Sequence, residues 1–98
     1  MGKKGSVIVM YDAPPEADGW MHGPHYDEVK ATPGVTEVRR YETIKGPDGC
    51  RKYIAIIDSD DIDATLAWRD SAAGQRSQGE ANERGVTNRY PIVAKRIY

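Results

Sequence analysis

His22 and His25 stand three residues apart in a chain of 98 residues that holds no other histidine. Their ordinary pKa lies near neutrality, so they can take up or release a proton at working pH. On a helix this spacing sets two side chains on one side and would also suit a metal pair. A third ligand is lacking, because Asp27 and Glu28 follow His25 too closely to share its face and Pro24 interrupts helical geometry through His22. Proton transfer is therefore the expected chemistry, with His25 facing inward as general acid or base and His22 as second candidate. The sequence has no CxxC pair, HExxH segment, phosphate-cradling glycine loop or dinucleotide fingerprint. Catalysis without cofactor or metal is the expectation.

Six tyrosines and no phenylalanine make most of the aromatic bulk hydroxylated. A phenol beside a cavity can donate to a carbonyl or a developing enolate, and its ring can stack on an aromatic substrate. Tyr53 and Tyr11 are the expected polarising groups, while Tyr41, Tyr90, Trp20 and Trp68 are expected to wall the substrate. Arg39 and Arg40 are neighbours on a strand and so point to opposite faces. Arg40 is expected to hold an acidic group, the competing use being a cross-strand ion pair with Glu37 or Glu42.

These side chains need elements to carry them. Ser6 to Asp12 (SVIVMYD) reads as a first strand, closed by Ala13-Pro14-Pro15 because proline cannot donate to a sheet ladder. Trp20, Met21, His25 and Val29 recur near helical spacing, and Pro24 suits the first turn of a helix. Pro33-Gly34 ends that helix, and Val35 to Lys45 alternates as a second strand. The turn Gly46-Pro47-Asp48-Gly49 leads into a third strand, Arg51 to Asp58, making an antiparallel hairpin. Ser59-Asp60-Asp61 supplies caps for a second helix from Ile62, with Ile62, Leu66, Arg69 and Ala73 along one side. Gly74 to Gly85 is polar with three glycines and reads as a partly helical loop. Val86 to Tyr98 is a last strand, with Pro91 marking an edge or a bulge.

The order βαββαβ predicts an α+β, ferredoxin-like fold, a four-stranded antiparallel sheet with both helices on one face. Residues 1–5 are expected to be a flexible N-terminus and 6–98 a single domain. The helix-free face would leave Ile54, Ile56, Ile92 and Val38 without cover, which a second copy can supply, so a homodimer is expected.

Composition narrows the function. Fourteen basic and fifteen acidic side chains are interspersed, giving a net charge of -1, so no field draws in nucleic acid. Apolar runs fall short of the ~20 residues of a bilayer span, and no signal-peptide pattern opens the chain. A single cysteine, Cys50, allows no internal disulfide; the expectation is a cytoplasmic protein without a membrane partner.

The run Trp20-Met21-His22-Gly23-Pro24-His25, then Gly34 and Arg39-Arg40-Tyr41, resembles the dimeric α+β barrel superfamily, in its EthD-related branch. Tyr53 to Ile57 with the acidic helix start behind it extends the likeness over nearly the whole chain. Pro24 departs from it, since related sequences often carry an acidic residue before the helix histidine. The resemblance implies a dimeric barrel and a superfamily that includes polyketide monooxygenases and cyclases, lactone isomerases, lyases, decarboxylases, haem-degrading enzymes and proteins without demonstrated activity. Together the residues and the resemblance lead to a cofactor-independent lyase, isomerase or cyclase acting on an aromatic or lactone-like metabolite through His25. The alternatives are a non-catalytic dimeric ligand-binding or stress-response module and a cofactor-free monooxygenase.

Overall fold

The computed structural model describes residues 3–98. Its four strands, β1 (Gly5–Asp12), β2 (Val35–Glu42), β3 (Tyr53–Ser59) and β4 (Thr87–Lys95), form one sheet in the order β2-β3-β1-β4, every pair antiparallel. This is the ferredoxin-like arrangement. Strand β1 opens at Gly5, one residue ahead of the expected Ser6, and the backbone carbonyls of Lys3 and Lys4 accept from Ile62 N and Arg96 N. The flexible N-terminus expected over 1–5 lies, for its first two positions, outside the described residues.

Alternation sorts the side chains. Val7, Val9 and Tyr11 of β1 and Tyr53, Ala55 and Ile57 of β3 face the helices, while Ile8, Met10, Ile54 and Ile56 face the other way. Strand β2 carries a register shift between Val35 and Glu37, after which Val38 pairs with Ile57 and Arg40 with Ala55. Val38 therefore packs in the helix-side core beside Val7, Ile57 and Ile62; the expectation that it lies on the uncovered face is corrected, because the bulge displaces the alternation by one residue. Pro91 sits on edge strand β4 opposite Val9, where its missing N–H breaks no ladder.

The helix layer is made of two jointed pairs. A single 3-10 turn (Pro15–Ala17) leads into α1 (Asp18–His22), Gly23 breaks the helix with φ -112° and ψ -104°, and α2 (Pro24–Lys30) resumes with proline in its first turn. Asp61 caps α3 (Ile62–Asp70), accepting from Ala64 N at 3.1 Å, and Ser71 caps α4 (Ala72–Glu83), accepting from Gly74 N. The segment expected to be a partly helical loop is thus a twelve-residue helix. Its buried face consists of Gly74, Ser77 and Ala81, spaced as one helical stripe. A Cβ at Gly74 would lie 2.3 Å from the Trp68 carbonyl oxygen, so only glycine lets α4 turn so closely on α3. Small residues pack a helix without raising its hydropathy, which is why the pattern looked polar.

The core divides along β1. Val7, Ile57 and Ile62 form one cluster, Tyr11, Trp20, Tyr53, Ala81 and Val86 the other, and Val9 packs against both. Among the described residues no helix is long and apolar enough to cross a membrane.

Candidate active site between the helices and the sheet

His25, the second residue of α2, is half-buried, and its imidazole stacks on Trp20 with ring centroids 4.4 Å apart and planes at 21°. The Gly23 break allows this. With α1 and α2 no longer one helix, the two histidines take different partners: His22 Nε2 meets Arg40, while His25 stacks on Trp20. Ser77 Oγ on α4 lies 3.5 Å from His25 Nδ1, and Nε2 has no protein partner among the described residues. Burial lowers the His25 pKa below its ordinary 6.5, Arg89 and Arg69 add to that lowering, and Glu28 and Glu80 oppose it. The ring is therefore neutral at pH 7, the form in which a histidine can act as a base.

Two chambers meet at this ring. One, of about 90 Å³, is lined by His25, Tyr11, Trp68, Arg69, Ser77 and Arg89 among others. The second, of about 220 Å³, takes in His22, Tyr26, Val38 and Arg40 and shares His25, Tyr11, Met21 and Ala55 with the first. The shared walls are mostly apolar, so hydrogen bonds formed inside them are strengthened relative to water.

Tyr11, buried on β1, accepts a hydrogen bond from Arg40 Nε at 2.5 Å. Its own O–H proton is left for donation. Burial raises the Tyr11 pKa against the opposing pull of Arg40, so the phenol keeps its proton at neutral pH. Arg40 is itself saturated. It pairs with Asp18 Oδ1 at 3.3 Å, meets His22 Nε2 at 2.8 Å and lies over the Tyr53 ring with its guanidinium carbon 4.2 Å from the centroid. Burial would lower its pKa, but the bonds to Tyr11 and Asp18 outweigh that and raise it.

The sequence-predicted residues thus fall into two groups. His25, Tyr11, Tyr53, Arg40, Trp20 and Trp68 belong to the helix-side interior, and His22, exposed, borders the larger chamber. Tyr41 and Tyr90 do not join them. Tyr41 pairs with Ile54 and Tyr90 with Met10 on the opposite face, each about half exposed, and Arg51 lies over the Tyr90 ring. Strand alternation decides this, since Tyr41 follows inward Arg40 by one residue. Arg39 also faces outward, paired with Asp58 on β3 at 2.9 Å and with Glu37, one of the two expected partners, on its own strand at 3.9 Å.

Arg69 and Arg89, which line the smaller chamber, were not among the expected site residues. The signal was present in both. Arg69 interrupts the apolar side of its helix, and Arg89 takes an inward strand position. Among the described residues no cluster of histidine, cysteine and carboxylate side chains could hold a metal.

No protein-family model matches the chain, and no curated protein sequence does. Solved structures do share its fold. An EthD family protein from Bacillus halodurans superposes with a TM-score of 0.70 at 13% identity, covering 96% of this chain and 99% of that one. A dimeric ferredoxin-like protein of unknown function from Thermobifida fusca gives 0.71 at 12% identity over 98% and 93%. A provisionally named antibiotic biosynthesis monooxygenase from Nitrosomonas europaea gives 0.67 at 10% identity over 100% and 94%. At such identities the likeness is one of fold, the fold of the dimeric ferredoxin-like proteins; chemistry has to be argued from the side chains.

Proposed function

We propose that this chain is a small cofactor-independent enzyme, a lyase, isomerase or cyclase, acting by proton transfer on an aromatic or lactone-like metabolite. The observation that carries the reading is the neutral, half-buried His25 on the wall between two apolar chambers, with a protonated Tyr11 lining the same space. His25 takes a proton from a carbon next to a carbonyl, and Tyr11 donates to the oxygen on which negative charge develops. Arg40 is a positioning residue. It holds the Tyr11 oxygen so that the hydroxyl proton can turn to the substrate, and it stiffens the phenol against Tyr53 and Asp18.

The working form proposed is a homodimer in a reducing cytoplasm. A face bearing Ile8, Met10, Ile54, Ile56 and Ile92 with the rings of Tyr41 and Tyr90 supports the first, as does the dimeric neighbour from Thermobifida fusca. The exposed thiol of Cys50 supports the second. Light scattering at micromolar concentration should give twice the mass of 10.9 kDa.

A second reading is a cofactor-free monooxygenase, favoured by the name of the Nitrosomonas neighbour and by the Trp20 ring stacked at His25. One screen separates the readings. Wild type and His25→Ala are incubated with aromatic acids, phenols and lactones while product and dissolved oxygen are followed. Turnover without oxygen loss that vanishes in the variant supports the proton-transfer enzyme. Oxygen uptake supports the monooxygenase, and binding without turnover supports a non-catalytic ligand-binding module.

A further inference from the structure

Arg69 on α3 and Arg89 on β4 reach the smaller chamber from opposite layers, one from the helices and one from the sheet. Arg89 Nη2 donates to the Gln78 carbonyl oxygen at 3.2 Å, which fixes the side chain against α4. The Arg69 guanidinium has no acceptor among the described residues, and neither arginine forms an ion pair there, whereas Arg39, Arg40 and Arg84 each do. Asp70 eases the burial of Arg69 from a distance, without contact. Two guanidinium groups that share a largely apolar, partly enclosed space repel one another and lose part of their hydration. Desolvation lowers the pKa of both, and the charge of Arg69 lowers that of Arg89 further. An anion between them would relieve both penalties, and the planar fork of arginine suits a carboxylate.

We propose that the substrate bears a carboxylate, which Arg69 and Arg89 grip from opposite sides, with its ring or lactone body running past His25 towards Tyr11. The inference rests on the proposed reading of His25 for the direction of the substrate, though not for the anion itself. The arginine nominated by the sequence, Arg40, already has its charge met by Asp18; the uncompensated charge lies at the other end of the cavity. A consequence follows for the base. Arg89 and Arg69 both weaken the hold of His25 on a proton, so a bound carboxylate cancels that influence and makes His25 a stronger base once the substrate is in place.

The test is a titration of the full chain with 2-naphthoate and 2-naphthamide, ligands alike in ring and different in charge, followed by tryptophan fluorescence. Naphthoate should bind about tenfold or more tighter, the equivalent of one charge-assisted hydrogen bond, and only its affinity should weaken with added salt. Arg69→Met and Arg89→Met should each remove about tenfold or more of naphthoate affinity while leaving naphthamide within about twofold. The wild-type preference needs no variant, so a misfolded substitution does not blur the result. Equal affinities, or no binding of either, would overturn the proposal, and tighter binding of 2-naphthyl phosphate would replace the carboxylate by a phosphate. His25→Ala should still bind naphthoate; if it also turns over normally, the proton-transfer reading fails and the anion site stands.

Discussion

At the end of the layer where β3 meets α3, buried polar groups answer one another completely. Ser59 Oγ and Thr65 Oγ1 lie 2.7 Å apart, Thr65 Oγ1 donates to the Pro33 carbonyl oxygen at 2.8 Å, and Ser59 Oγ accepts from Asp61 N at 3.0 Å. Gly34, at φ +84°, passes so close that a Cβ would stand 2.7 Å from the Asp61 carbonyl oxygen. At the end around His25 the polar groups are half-answered: one imidazole nitrogen is free, a phenol proton is unassigned, and two guanidinium groups meet no carboxylate. The same backbone scaffold carries both. Satisfied buried polar groups specify a structure, whereas unsatisfied ones kept at a cavity cost stability and are held in place by the rest of the fold. Substitutions at the two ends should therefore fail in different assays.

The largest effect is expected at the open end. His25→Ala should lower turnover by roughly two to four decades, the range typical of a general acid or base, while its urea midpoint stays close to wild type. A large loss of stability instead would make His25 a structural residue and erase the contrast. Next, Gly34→Ala should cost roughly 2–4 kcal/mol in urea unfolding, from a left-handed backbone with a side chain and from contact with Asp61, with ligand affinity unchanged in the folded fraction. Thr65→Val comes third, at about 1–3 kcal/mol, because Ser59 and the Pro33 carbonyl lose their shared partner. Arg40→Met tests positioning. It should lower kcat with little change in KM and move the alkaline limb of the pH profile upward, since Arg40 opposes the raised pKa of Tyr11; a purely structural Arg40 would leave that limb in place.

The smallest effect is in pH. His25 has a lowered pKa in the folded protein, so the unfolded chain binds more protons between that value and 6.5, and stability should fall as the pH drops through this window. The kcat/KM profile of the free enzyme should show its acid limb below 6.5 as well. Both features should vanish in His25→Gln. Loss of stability above 6.5 instead would mean that the ring is held charged.

Element order, the hairpin and the sheet were legible because strand alternation, the Gly46–Gly49 turn and the Asp61 cap are local signals. Six of the nominated side chains gather in the helix-side interior for the same reason, each on an inward position of its own element. Tyr41 and Tyr90 were lost to alternation, which only pairing partners resolve, and a bulge in β2 turned Val38 inward. Helix α4 escaped because its buried stripe is Gly74, Ser77 and Ala81, and hydropathy cannot distinguish a helix that packs by being thin from a loop. With α4 read as a loop, Ser77 had no fixed place beside His25, and the inward meaning of Arg89 beneath it was hidden.

The thinness of α4 also bears on how such a protein diversifies. The wall it gives the smaller chamber includes Gly74, Ser77 and Ala81, and a Cβ at Gly74 would meet the backbone of α3. Exchanging Ser77 for alanine would widen the room beside His25 by a hydroxyl, whereas valine or leucine at Ala81 would press into the core of Tyr11, Trp20 and Tyr53 and strain the helix. The residues that shape the chamber are thus the same ones that pack the helix. Any change in the room beside His25 made through this stripe is therefore also a change in the stability of the fold.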